Sequence, residues 1–213
     1  MRESRSFACL RASARKRLWR LRARAVVGVA NRNPLRDREL AYVVLETQNL
    51  WTNFSRSYLI SCIFTPKRCA GGRVTYTNAA IQTPGDVLFA ANKLARGPLA
   101  AAPITRRDEP SWHDIALFHN TCQHLQCSHL AHVQAALSLQ TRVFHDLPSF
   151  RNFYAHRNGE SAQKAVQLAK RIYLIVGPTH PSDVLAEPAR NRTQALILDW
   201  LDDMSTIVDL LCE

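Results

Sequence analysis

The chain reads as an all-α protein, and three features carry that expectation. Glycine is scarce, 7 among 213 residues, whereas an all-β fold needs it at many tight turns. Leu, Ala, Arg and Gln, good helix formers, dominate the long unbroken stretches. Apolar residues recur at three- and four-residue steps, the period of one helical face. With 46% hydrophobic residues the chain can bury a sizeable core.

Taken in order, residues 1–30 are rich in arginine and fit three readings: a basic amphipathic helix or arm ordered on binding, an organelle transit peptide, or the product of a misassigned start codon. Asn33-Pro34 marks a boundary, so residues 1–33 are expected to form a basic extension and 34–213 the helical domain. A long helix follows, with Leu40, Val43, Val44, Thr47, Leu50, Trp51, Phe54 and Tyr58 on one face and Glu46, Asn49 and Asn53 on another. Pro66, Gly71, Gly72, Pro84 and Gly85 mark a loop with room for one short strand. Residues 87–96 read as a short helix, GPLAAAP as a connector, and 112–144 as a second long helix. Asp146 is expected to cap a further helix starting at Leu147-Pro148. Residues 161–176 are expected to be helical, 177–188 a proline-rich loop, and the last helix to run from about Arg190. No internal repeat is visible.

The net charge of +11 is concentrated at one end. Residues 1–38 hold 12 Lys/Arg against Glu3 and Asp37, leaving +1 for the remainder. Such an arm suits phosphate-rich partners or an anionic membrane face. The six cysteines are scattered and no secretory signal pattern precedes them, which predicts reduced thiols in a cytoplasm. No uncharged apolar window is long enough to span a membrane.

The stretch FRNFYAHRN, residues 150–158, carries the chemistry. At about 100° per residue, Arg151, Asn152 and His156 share one side of a helix, while Leu147, Phe150, Phe153 and Tyr154 share the other. Arginine offers a permanent charge and a planar fork for phosphate oxygens. An imidazole, titrating near neutral pH, can move protons between a ribose 2′-hydroxyl, the phosphate and the leaving 5′-oxygen. Asparagine can orient the imidazole or bond a phosphate oxygen. RNA brings its own nucleophile, so neither metal nor cofactor is called for.

RNFYAH at 151–156 resembles the Arg-x4-6-His signature of the HEPN superfamily, and the resemblance covers roughly residues 39–213. It implies a bundle of four to five helices with long antiparallel members. It implies a metal-independent endoribonuclease of the toxin–antitoxin, abortive-infection or other antiviral defence type, with a composite site built by two protomers. On that resemblance Arg151 holds phosphate, His156 is general acid/base, and Asn152 is the polar residue after the arginine. Glu46, Asn49, Asn53 and Arg157 are assigned to substrate binding. The implied partners are RNA, a second copy of the chain, and an antitoxin or defence-system protein. One toxin subgroup carries a modifiable tyrosine two residues after the histidine; Asn158 stands there instead. The alternative is a catalytically inactive HEPN-like subunit that binds RNA, nucleotide or protein. A third reading is an adaptor driven by residues 1–38.

Other clusters are weaker. HNTCQHLQCSHLAH, 119–132, would set His119 with Cys122, His124 with Cys127 and His129 with His132 on one helix, but no remote Cys-x-x-Cys or second His pair completes a metal site. Asp199, Asp202 and Asp203 read as the solvated face of the last helix or as partners for an arginine. Lys67-Arg68 and Arg106-Arg107 are short basic pairs. No P-loop, dinucleotide fingerprint or nucleophile elbow is present.

Overall fold

The computed structural model describes residues 6–97, 108–139 and 141–213, and over these the chain is all-α, with isolated bridges in place of strands. Two compact units arise, one from Met1–Arg15, Trp51–Leu139 and Ile207–Glu213, the other from Lys16–Leu50 and Gln140–Thr206. No helix among the described residues is long and apolar enough to cross a membrane.

Helix α1 spans Phe7–Ala30 and α2 spans Leu35–Cys62, and both contribute to each unit. The boundaries between the units fall within these two helices, at residues 15/16 and 50/51. Between the arginines of α1 lie Phe7, Leu10, Ala14, Leu18, Leu21 and Ala25, spaced at three and four, and all are buried. The arginines meet acids of their own chain: Arg17 Nη2 lies 3.1 Å from Glu46, Arg22 Nε 2.9 Å from Asp202, and Arg24 Nη1 3.2 Å from Glu39. Gly28 makes the approach of α1 to α2 possible, since a Cβ there would stand 2.8 Å from Leu40 Cδ2.

In the first unit, Phe7 stacks on Tyr58 at 4.4 Å, and Tyr58 packs on Phe118 at 5.3 Å. Helix α3, Pro84–Arg96, starts three residues earlier than expected because Thr83 and Asp86 form a capping box ahead of it. Residues 112–144 are not one helix. Asp114 caps α4, Ile115–His124, by accepting from the N–H groups of Ala116 and Leu117. The chain then turns at Gln126, φ 55°, where Ser128 N–H donates to Thr75 O, and resumes as α5, Leu130–Leu137. The apolar period runs through this break, which is why the sequence concealed it.

In the second unit, α6 covers Val143–His156. Asp146 lies inside it and is no cap: its buried carboxylate takes Arg142 through both oxygens, at 2.9 and 3.1 Å, and the Tyr173 hydroxyl at 2.6 Å. Pro148 is carried within the helix. Helix α7, Gly159–Leu168, packs on α6 and passes into a π-helical turn, Ala169–Tyr173, that ends at Leu174 with φ 53°. The continuous helix expected to 176 thus stops short. The proline-rich loop contains a short helix, α8, Pro181–Ala186, and the last helix, α9, runs Leu196–Cys212, later than expected, with its apolar stripe buried. Arg106, Arg107 and the GPLAAAP connector beyond Gly97 lie outside the described residues.

Candidate functional site on the exposed face of the sixth helix

Helix α6 divides as its period requires. Leu147, Phe150, Phe153 and Tyr154 are buried, Phe150 meeting Trp200 edge-on at 5.4 Å. Asn152 and His156 are exposed and Arg151 is half-buried. Arg151 Nη1 donates to Asn152 Oδ1 at 3.4 Å. The Arg142–Asp146–Tyr173 network fixes the first turn of α6, and with it the azimuth of the face one and two turns later. Burial raises the Tyr173 hydroxyl well above its usual range, and the Asp146 carboxylate beside it does so further, so it stays a donor.

His156 is the last residue of α6, and the reversal that follows shapes its surroundings. Arg157 adopts a left-handed conformation, φ 51°, and Asn158 caps α7 by accepting from Ser161 N–H at 2.8 Å. The fold-back opens a cleft of about 260 Å³ lined by Ser149, Asn152, His156, Asn158, Glu160, Ser161 and Lys164. Lys164 Nζ stands 2.7 Å from Glu160 Oε1 at its rim. Four of these residues come from the start of α7 or its cap. The Asn158-Gly159 break was the one sequence signal that could have announced them.

The other assigned residues do not join this cleft. Glu46 accepts from Arg17 across the α1–α2 contact and, at 3.1 Å, from the exposed Asn49 Nδ2 on its own helix. Asn53, half-buried, belongs to the other unit. Arg157 is a clasp: its guanidinium lies over the Tyr154 ring at 4.9 Å and reaches Asp37 Oδ2 at 2.5 Å. Its left-handed backbone turns the side chain away from the cleft wall and toward α2.

His180 is a polar residue the sequence did not flag. Its Nδ1 accepts from Ser182 N–H at 3.2 Å, stands 2.7 Å from Ser182 Oγ and 3.9 Å from Asp37 Oδ1. Because one nitrogen faces all three groups, no relay through the ring is formed; His180 caps α8.

The 119–132 cluster is dispersed by the break between α4 and α5. Cys122 and Cys127 come together with Cys62, all buried. Hydrogen bonds from Cys122 and Cys62 hold Cys127 well below the usual thiol range, while those two thiols are raised. His129 is buried against Tyr58, which also donates to Leu211 O at 3.1 Å. Among the described residues no three His, Cys, Asp or Glu side chains gather at metal-holding geometry. Asp199 and Asp202 accept from Gln194, Asp202 also pairs with Arg22, and Asp203 accepts from Thr141 at 2.6 Å.

The class these features define is an all-α protein with an Arg/Asn/His helix face above a small polar cleft. The chain matches no family model, no curated protein and no solved structure with which it was compared.

Proposed function

We propose that the protein is a metal-independent endoribonuclease of the HEPN type, working in the cytoplasm as a homodimer and held in check by an antitoxin or defence-system partner. The observation that carries the reading is that α6 turns Asn152 and His156 into one cleft, with Arg151 bonded to Asn152 beside it. That set suits internal transesterification. The imidazole accepts the proton of the ribose 2′-hydroxyl, the 2′-oxygen forms a bond to phosphorus, and the bond from phosphorus to the 5′-oxygen breaks. The leaving 5′-oxygen takes a proton, giving a 2′,3′-cyclic phosphate and a 5′-hydroxyl with no water consumed. Arg151 supplies charge for the crowded phosphorane oxygens.

Two proton transfers occur at opposite sides of phosphorus, and His156 is the one imidazole in the cleft. Glu160 and Lys164 are engaged with each other. A second copy of the chain, bringing its own His156 on an exposed helix end, completes the acid/base pair.

The test is cleavage of a labelled single-stranded RNA pool in excess EDTA by wild type and by His156→Ala. Cutting by wild type alone, with cyclic-phosphate ends, is expected. Equal cutting by His156→Ala would overturn the assignment.

A further inference from the structure

The groove between α1 and α2 joins features that seldom coincide by chance. Trp51, Trp112 and Trp200 are 1%, 4% and 2% exposed, whereas Trp19 is 71% exposed. It cannot be explained as a misplaced core residue, because the inward stripe of α1 is already filled by Leu18, Leu21 and Ala25. Across the groove Tyr42 of α2 is 45% exposed, and the Arg24 guanidinium lies 4.5 Å over its ring. The groove, about 420 Å³, is lined chiefly by Arg17, Trp19, Arg20, Arg24, Tyr42 and Glu46.

Its charge is one-sided. Glu46 answers Arg17 and Glu39 answers Arg24. Among the described residues no carboxylate pairs with Arg20 or with Lys16, one turn away from it, and both are exposed. The exposed indole and the partly exposed Arg24–Tyr42 pair therefore sit beside unneutralised cations.

Unpaired nucleotides answer that description. A base offers a flat face to any aromatic or guanidinium plane, and the phosphates follow the cations. A duplex keeps its bases stacked on each other and presents only phosphate. A lipid surface takes a broad apolar helix face; α1 buries Phe7, Leu10, Ala14, Leu18, Leu21 and Ala25, and the Val26 and Val27 it leaves exposed lie outside the groove that Trp19 and Tyr42 line.

We propose that the α1–α2 groove binds single-stranded RNA, with bases stacked on Trp19 and on the Arg24–Tyr42 pair and phosphates held by Lys16 and Arg20. The choice of RNA over DNA rests on the ribonuclease reading above; the stacking and charge argument does not. The groove lies in the same unit as the His156 cleft.

Binding is measured on the full chain carrying His156→Ala, which removes cleavage from the experiment. A labelled oligouridylate of about a dozen nucleotides, within the span of known single-strand sites, is followed by anisotropy over a range of salt. The deoxy strand, a blunt RNA duplex and anionic phosphatidylserine vesicles serve as competing probes. The oligouridylate is expected to bind best, and adding Trp19→Ala weakens it by about tenfold or more, the scale of one lost base stack. Arg20→Glu weakens binding and flattens the salt dependence. Both side chains are exposed, so the variants retain the parent's circular dichroism and melting temperature.

A second readout is independent of affinity. Acrylamide quenches chiefly the exposed Trp19, and saturating RNA should shield it. Equal affinity with and without Trp19, unshielded quenching, or preference for duplex or vesicles would each overturn the proposal, and equal binding of the deoxy strand would overturn the choice of RNA. Trp19-dependent binding by a protein whose wild type never cuts RNA would support the groove and end the ribonuclease reading. Cutting by wild type with binding indifferent to Trp19 would end the groove alone.

Discussion

His156 and His129 show how one residue type serves opposite ends. His156 is exposed at the end of α6 and opens on a cleft. Its replacement by alanine removes no packing and should cost about 10²–10⁴-fold in RNA cleavage, the range for a lost acid/base group, with unchanged melting. Arg151→Ala should also abolish cutting, and circular dichroism should show the fold retained. His129 is buried, and burial above all holds its imidazole below the ordinary range, with Arg68 and His132 adding to that and Cys127 opposing it. With Tyr58 donating to Leu211, the imidazole Nε2–H donates to Tyr58, and Nδ1 is left bare with no partner. Charging the ring would bury an unsatisfied N–H. The unfolded chain therefore takes up this proton first. The contribution is full above the unfolded value, about pH 6.5, and is lost as pH falls toward the depressed folded value. Urea unfolding from pH 8 to pH 5 should show stability falling more steeply below about pH 6.5, where His129 adds at most ~1.4 kcal/mol per pH unit to the decline that the lowered Cys127 thiol contributes from higher pH. In His129→Gln that slope should shrink; an unchanged slope would place its origin elsewhere.

Among the elements, α1 is the one whose role the charge pattern disguised. Twelve cations in the first 38 residues mark a basic extension, and within it Leu18 and Leu21 are 3% and 4% exposed. Leu21→Ala is expected to cost about 2–5 kcal/mol of unfolding free energy, as other buried leucines do, whereas a detachable arm would register no change in a denaturant titration. Thr83→Ala, which removes the hydroxyl that accepts from Asp86 N–H, should cost about 1 kcal/mol, read by the same titration. The helix breaks obey the same local logic in reverse. At Gln126 and Leu174 non-glycine residues take left-handed backbone, φ 55° and 53°, and nothing in their side chains advertises it. They are held there by neighbours: Tyr76 bridges to Cys127, and Arg190 N–H donates to Tyr173 O at 2.9 Å.

For the whole molecule, the proposed mechanism requires two protomers, and that has a measurable consequence. Wild type mixed with an excess of His156→Ala should lose cleavage beyond simple dilution as mixed dimers form, and sedimentation should show a dimer at the concentrations that cut. Activity proportional to wild type alone would mean that each chain is sufficient. High salt should weaken RNA binding, because the cations left unpaired on α1 release counterions when phosphate docks.

The sequence by itself determined what depends on one helix and its own period: the all-α class, the buried stripe of α9, and the division of α6 into an aromatic side and an Arg151/Asn152/His156 side. These follow from spacing alone, since 100° per residue places each side chain without reference to the rest of the chain. Only the tertiary structure decided where the arginines go, because Arg22 meets Asp202 across 180 residues and Arg157 meets Asp37 across 120. It also decided that Glu46 answers α1 instead of the cleft, that α7 supplies Lys164 and Ser161 to His156, and that Trp19 is left in solvent. Which cation meets which acid, and which side chain is left in solvent, is settled by how the helices pack, to which local periodicity is blind.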